Sequence, residues 1–165
     1  MLNIAKYPDQ ILRQTAKKVV DFDADLKKLT EEMAQSMYED DGVGLAAPQV
    51  SVSKRVIVIG QPDKKSFLTY INPEISFFSK DQAIGEEGCL SLPKIFGLVK
   101  RAKKIHIKYQ DLSGQIQKEK IKGFLAVVLQ HEIDHLNGIL FIDRAEKITE
   151  GQEILDQLKQ KLEKK

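Results

Sequence analysis

The chain has 165 residues, which suits one domain with its own core but is short for two. Hydrophobic residues make up 42% and charged residues 30%, a balance that excludes intrinsic disorder. The 26 Lys and Arg residues barely exceed the 24 Asp and Glu residues, so no nucleic-acid partner is indicated. A single cysteine excludes an internal disulfide framework, and no stretch reaches the ~18 apolar residues of a membrane span. We therefore expect one soluble, cytoplasmic domain over residues 1–165.

The first predicted element is a helix over residues 25–40. Four apolar side chains recur there at helical spacing: Leu26, Leu29, Met33 and Met37. An acidic residue, Asp23 or Asp25, can cap the N-terminus of this helix. Short β-rich segments follow at 55–59, 67–71 and 75–78. We expect the two methionines to pack in the core, the usual role of methionine at such spacing.

A β-hairpin is predicted in the second half of the chain. Residues 104–109 alternate apolar and polar side chains, as a half-buried strand does, with His106 on the outward face between lysines. The turn at 111–114 contains a glycine and leads into a partner strand at 115–121. The outward position of His106 indicates a solvated side chain.

Two helices are predicted to complete the chain. An apolar helix covers 124–136 and is ended by an Asn-Gly pair. A last amphipathic helix is predicted to begin near Thr149, with Gln152 placed for a capping box. Strands followed by a buried helix and a packing helix indicate an α+β fold.

The sharpest chemical feature is the HEIDH segment in the apolar helix. His131 and His135 are four residues apart, so they lie about 40° apart around the helix axis and can bind one metal ion. Glu132 is offset by about 100° from His131, which suits a carboxylate that accepts a proton rather than a further ligand. Asp134 and Arg101 are candidates for an ion pair beside this site.

A catalytic metal site of this kind needs a third protein ligand and an open position. Cys89 is the preferred candidate, because two glycines precede it and a proline follows it, which marks a special backbone conformation. His106 is the weaker candidate, since it is expected to face solvent. The sequence thus predicts a Cys/His/His metal site.

Two other classes of protein remain open at this point. A zinc peptidase of the metzincin type needs a further histidine, but Phe141 occupies that position. A thermolysin-like site would take a glutamate ligand from Glu146, Glu150 or Glu153, which are expected to be surface charges. A structural metal-binding module would need four ligands and would have no open position. Cleavage of an ordinary peptide would identify a general metallopeptidase.

Three segments together resemble the signature motifs of the peptide deformylase family: 42–49 (GVGLAAPQ), 87–91 (EGCLS) and 130–135 (QHEIDH). Their order and spacing are those of the family, and the resemblance covers nearly the whole chain. It implies antiparallel β-sheets packed around a central helix that carries the HExxH motif, with N-terminal and C-terminal helices, as in the bacterial type. The implied activity is removal of the N-formyl group from the N-terminal methionine of newly made polypeptides, with release of formate.

The resemblance also implies roles for the residues at the metal. Cys89, His131 and His135 match the metal ligands, and the implied cofactor is one divalent ion, Fe²⁺, with Ni²⁺, Co²⁺ or Zn²⁺ as substitutes. Glu132 matches the catalytic glutamate. The side chain of Gln49 and the backbone N–H of Leu90 match the donors to the formyl oxygen, and the resemblance places both among the catalytic residues.

Substrate-binding residues are implied in the same way. Val43 and Gly44 match the strand that pairs with the substrate backbone, and Glu87, Val127 and Val128 match positions around the methionine pocket. The implied partners are N-formylmethionyl nascent peptides, met at the ribosome, with no membrane and no specific nucleic acid. Phe96 departs from the Arg or Tyr that members often carry, which leaves the preference beyond the first residue open.

Overall fold

The structure, a computed structural model, describes residues 1–164; Lys165, the last residue of the predicted domain, lies outside them. Helix α1 (Ala24–Glu39) begins after Asp23, whose side chain accepts a hydrogen bond from the Leu26 N–H at 2.9 Å. Met33 and Met37 are fully buried on its inner face. The predicted helix, its acidic cap and its core methionines are therefore all confirmed.

Within residues 1–164, eight strands form two antiparallel sheets. They are β1 (Gly44–Ala46), β2 (Val56–Gly60), β3 (Phe67–Phe78), β4 (Gln82–Cys89), β5 (Leu92–Ala102), β6 (Lys104–Gln110), β7 (Ile116–Lys122) and β8 (Lys147–Glu150). The first sheet has the order β1-β2-β3-β6-β7 and the second has the order β4-β5-β8. Strand β1 is an edge strand, and a 3-10 turn (Ala47–Val50) follows it directly.

Three further α-helices are present in the described part of the chain: α2 (Phe124–Leu136), α3 (Phe141–Arg144) and α4 (Gln152–Glu163). Helix α2 has the predicted bounds. Helix α4 begins three residues later than Thr149, because β8 pairs with β5 there, so the predicted start of the last helix is wrong. Strand β3 is continuous where two segments were predicted, with register shifts after Ile71 and Ile75.

The core surrounds helix α2. Ala126, Leu129 and Ile133 are buried against the first sheet, in a cluster that includes residues of β2, β6 and β7. On its other side, the buried Gln130 side chain exchanges hydrogen bonds with the backbone of Ala102 on β5, at 2.8 and 3.1 Å. A buried leucine such as Leu129 contributes about 2–5 kcal/mol relative to alanine. This packing fixes the position of α2 between the two sheets.

Helices α1 and α4 pack at the periphery, so the predicted α+β architecture is confirmed. On α4, Leu155 is buried against the second sheet, whereas Ile154 and Leu162 remain exposed. Within residues 1–164, the helices lack the length and apolar composition that a membrane crossing requires.

Candidate active site

Helix α2 and the turn between β4 and β5 bring three metal-binding side chains together. Helix α2 begins after Gly123, whose φ of +73° suits glycine, and it carries His131 and His135 on the side that faces this turn. The Cys89 Sγ lies 3.3 Å from the His135 Nε2. One ligand atom from each of Cys89, His131 and His135 lies within 4.8 Å of the other two.

The donor set fits a single divalent metal ion. A thiolate with two imidazoles suits Zn²⁺, Fe²⁺ and similar ions. Nδ1 of His131 hydrogen bonds with Glu87 at 2.8 Å, which leaves Nε2 for the cluster and is the usual support of a metal-binding histidine. Among residues 1–164, the buried Glu132 Oε2 and His135 Nδ1 have no hydrogen-bond partner, which is rare in folded proteins. The cluster therefore has the donors for a metal ion, which the polypeptide itself does not supply.

An ion-pair network supports the His131 side chain through its hydrogen bond to Glu87. Arg101, which is 4% exposed, donates two hydrogen bonds to Glu87 at 2.9 Å and one to Asp134 at 2.7 Å. Burial alone would raise the pKa of Glu87, but the hydrogen bonds from Arg101 and His131 lower it to about 2. Arg144 adds two hydrogen bonds to Asp134. The expected pair of Arg101 and Asp134 is therefore present within a larger network.

Glu132 follows His131 on helix α2, lines the same cavity and is only 4% exposed. Burial raises its pKa to about 7, despite the opposing charge of His131. Such a carboxyl can accept and return a proton near neutral pH. Gly44 on β1 makes room for it, because a Cβ there would lie 3.0 Å from both Glu132 Oε1 and Val128 Cγ1. The sheet edge and the carboxylate thus approach each other closely.

Gln49 lies beside Cys89 of the cluster, in the 3-10 turn after β1. Its side-chain oxygen accepts a hydrogen bond from the Ala46 N–H at 3.0 Å. This contact turns the amide nitrogen toward the Cys89 Sγ at 3.4 Å and the Ser91 hydroxyl at 3.2 Å. A buried amide held from both ends is a preorganised donor.

A cavity of about 600 Å³ opens in front of these groups. All predicted site residues except His135 line it: Val43, Gly44, Gln49, Glu87, Cys89, Leu90, Val127, Val128, His131 and Glu132. His135 is buried beneath the cavity floor. Val43 lies at the rim and is exposed, whereas Val128 is buried. The structure therefore brings the predicted residues to one place.

His106 lies outside this group and stacks on Phe77, with ring centroids 4.5 Å apart. Glu146, Glu150 and Glu153 are exposed, as expected. Phe96 lines the cavity, and its ring fills the space that a Cβ at Gly88 would need.

Sequence reasoning missed Lys6, which also lines the cavity, and Arg144 in the network. No local pattern marks either residue, since each reaches the site only through the tertiary fold.

The central helix of this α+β fold presents two histidines and a glutamate to a cavity, and a cysteine at the end of β4 faces them. Such an arrangement is typical of a metal-dependent hydrolase. Residues 1–151 match the family model described as polypeptide deformylase. The chain is 45% identical over 147 residues to the peptide deformylase of Desulfotalea psychrophila, covering 87% of this chain and 86% of that one.

Solved structures give the same result. A crystal structure of peptide deformylase from Thermotoga maritima has a TM-score of 0.85 and 46% identity, covering 88% of this chain and 98% of that one. A Met-Ala-Ser-bound class I type b peptide deformylase from Acinetobacter baumannii has a TM-score of 0.82 and 41% identity, covering 87% and 98%. The chain therefore belongs to the polypeptide deformylase family. It is a metal-dependent enzyme that removes the N-formyl group from nascent polypeptides.

Proposed function

We propose that residues 1–165 act as one catalytic domain that deformylates N-formylmethionyl polypeptides at a single metal ion held by Cys89, His131 and His135. The observation that carries this proposal is the three-residue cluster at the floor of a 600 Å³ cavity, next to a buried carboxylate. The substrates are nascent chains that the enzyme meets in the cytoplasm, at the ribosome.

The proposed ion is Fe²⁺, for which Ni²⁺, Co²⁺ or Zn²⁺ can substitute. When bound, it supplies Lewis-acid activation of water and of the formyl carbonyl. The thiolate of Cys89 favours such ions over Mg²⁺ or Ca²⁺, which prefer oxygen ligands. Glu87 keeps the His131 ring oriented toward the ion through its bond to Nδ1.

Substrate binding uses the edge of the first sheet. Gly44 offers backbone groups to an extended peptide, because β1 pairs with β2 on one side only. Val43 flanks this edge at the cavity rim, and its own carbonyl accepts from the Gly60 N–H at 2.9 Å. The methionine side chain lies between Glu87, Val127 and Val128, and two valines suit an unbranched thioether. The relative that binds Met-Ala-Ser supports a peptide in this cavity.

The chemical step is hydrolysis of the formamide bond. Glu132 accepts a proton from the attacking water, whose oxygen forms a bond to the formyl carbon. The amide of Gln49 and the N–H of Leu90 donate to the formyl oxygen as negative charge develops on it, and one such donor is worth ~3–4 kcal/mol. The C–N bond then breaks, and Glu132 returns the proton to the leaving amine. The products are formate and a free N-terminal methionine.

The test compares the metal-loaded wild type with Glu132→Gln on formyl-Met-Ala-Ser, with unformylated Met-Ala-Ser as the control substrate. We expect formate release from the formylated peptide alone, and a loss of several orders of magnitude in kcat for Glu132→Gln with the metal retained. Near-normal turnover of the variant would refute the role of Glu132. Cleavage of the unformylated peptide would refute the proposed substrate class.

A further inference from the structure

Three consecutive residues near the N-terminus join the two chain segments that carry the proposed formyl-oxygen donors. The Ala5 N–H donates to the Gln49 carbonyl at 2.7 Å, and the Tyr7 N–H donates to the Ser91 carbonyl at 2.9 Å. Between them, the Lys6 Nζ donates to the Leu90 carbonyl at 2.8 Å. Residues 5–7 thus bridge the turn that carries Gln49 and the turn between β4 and β5.

The segment that carries Lys6 is fixed at both ends. Before it, the Leu2 N–H donates to the Ser36 hydroxyl at 2.9 Å, and that buried hydroxyl donates back to the Leu2 carbonyl at 3.1 Å. After it, the Tyr7 ring is buried in the core of the second sheet, in contact with the Arg13 guanidinium. A terminal segment held in this way is an ordered part of the fold.

Leu90 needs such support more than an ordinary loop residue does. It lies in the two-residue turn between β4 and β5, next to a register shift between Gly88 and Cys89. A bulge at the end of a hairpin leaves backbone groups without ladder partners. The Leu90 N–H and the Leu90 carbonyl belong to successive peptide groups that meet at the Leu90 Cα. Because β4 holds the preceding residue, Cys89, anchoring the carbonyl limits the φ and ψ values open to Leu90 and so restricts the direction of its N–H.

We propose that Lys6 is a positioning residue, whose ammonium group fixes the Leu90 carbonyl so that the Leu90 N–H and the Gln49 amide converge on the formyl oxygen. This inference rests on the proposed function, which assigns those two donors. Misplacement of such a donor by a fraction of an ångström weakens transition-state stabilisation more than substrate binding. Because Lys6 is exposed, its hydrogen bond adds little to folding stability.

The experiment compares Lys6→Met and Lys6→Arg in the metal-loaded enzyme. Lys6→Met keeps the aliphatic stem but removes the donor, so we expect kcat to fall roughly tenfold while KM changes less than twofold. Lys6→Arg retains a cationic donor and should recover most of kcat. Lys18→Met is the matched control, because Lys18 is an exposed lysine that makes no side-chain hydrogen bond or ion pair within residues 1–164.

A second readout does not depend on turnover. In the zinc-loaded protein, the backbone amide resonance of Leu90 in the ¹H–¹⁵N spectrum should shift in Lys6→Met and stay unchanged in Lys18→Met, because it reports the local environment of this N–H. The midpoint of thermal unfolding should stay within about 2 °C of the wild type, because the lost hydrogen bond is exposed.

Unchanged kcat and an unchanged Leu90 amide resonance in Lys6→Met would overturn the inference. So would a loss of kcat that Lys6→Arg does not restore, or one that accompanies a large fall in the unfolding midpoint. Glu132→Gln is assayed in parallel. If that variant is inactive while Lys6→Met is normal, only the role of Lys6 fails; if it is active, the proposed function itself fails.

Discussion

Arg101 is a buried residue whose loss should destabilise the protein strongly. It is 4% exposed, and its guanidinium makes three charge-assisted hydrogen bonds, two to Glu87 and one to Asp134. Arg101→Met removes all three. Asp134 retains its two bonds from Arg144, but Glu87 keeps only its contact with His131. The expected loss of unfolding free energy therefore comes mainly from Glu87, which remains as a buried carboxylate without its cation.

Removing one partner of a buried ion pair costs about 3–5 kcal/mol. For a chain of this length, about 2–4 °C is lost per kcal/mol, so the unfolding midpoint of Arg101→Met should fall by roughly 6–20 °C. Urea unfolding of the metal-loaded protein, followed by circular dichroism, measures the free energy directly. The Glu87→Gln/Arg101→Met double variant should recover part of the loss, because it removes the unpaired charge.

Arg144→Met is the matched control for Arg101→Met. The Arg144 side chain is 45% exposed, and its removal leaves Asp134 bonded to Arg101. We expect a loss of about 1 kcal/mol or less. Equal losses for the two arginine variants, or a loss below 1 kcal/mol for Arg101→Met, would refute the view that the buried pair with Glu87 supports the site.

Three further predictions follow from other parts of the structure. Gly44→Ala should lower kcat about tenfold with the metal retained, because the new Cβ would crowd Glu132; unchanged formate release would contradict this. Burial would raise the pKa of Asp143, but its hydrogen bond from Arg13 lowers it below the ordinary value of an aspartate. Asp143 therefore stabilises the fold above its unfolded pKa and loses this effect as pH falls. Asp143→Asn should cost about 1 kcal/mol or less at pH 7 and progressively less as the pH falls through the folded-state pKa, measured by urea unfolding; a loss independent of pH would contradict the pairing. The Fe²⁺ form should lose activity in air over hours while the Zn²⁺ form persists, with oxidation of Cys89 detected by mass spectrometry; equal lifetimes and an unmodified cysteine would count against an iron–thiolate site.

The elements that the sequence predicts well are those with local signals. Helix α2 has the predicted bounds, because its apolar run is preceded by Gly123 and followed by Asn137 and Gly138. The positions of His131, Glu132 and His135 relative to one another follow from helical geometry alone. A local pattern therefore predicts the helix and one side of the candidate site.

The elements that the sequence does not predict depend on contacts between distant residues. Strand β4 (Gln82–Cys89) is largely polar and exposed, with no alternation of apolar and polar side chains, and it forms because β5 pairs with it. The predicted helix start at Thr149 is wrong for the same reason, since β8 joins the edge of β5. The contact of Lys6 with Leu90 joins residues 84 positions apart. Such pairings have no local sequence signal.

The central claim is that one metal ion, held by Cys89, His131 and His135, supports deformylation. The most direct measurement is an anaerobic titration of the metal-free protein with Fe²⁺, in which bound metal and formate release from formyl-Met-Ala-Ser are followed together. We predict that activity rises linearly and reaches its maximum at one equivalent, and that Cys89→Ala neither binds the ion tightly nor gains activity. Full activity without metal, or an unchanged titration of Cys89→Ala, would contradict the account.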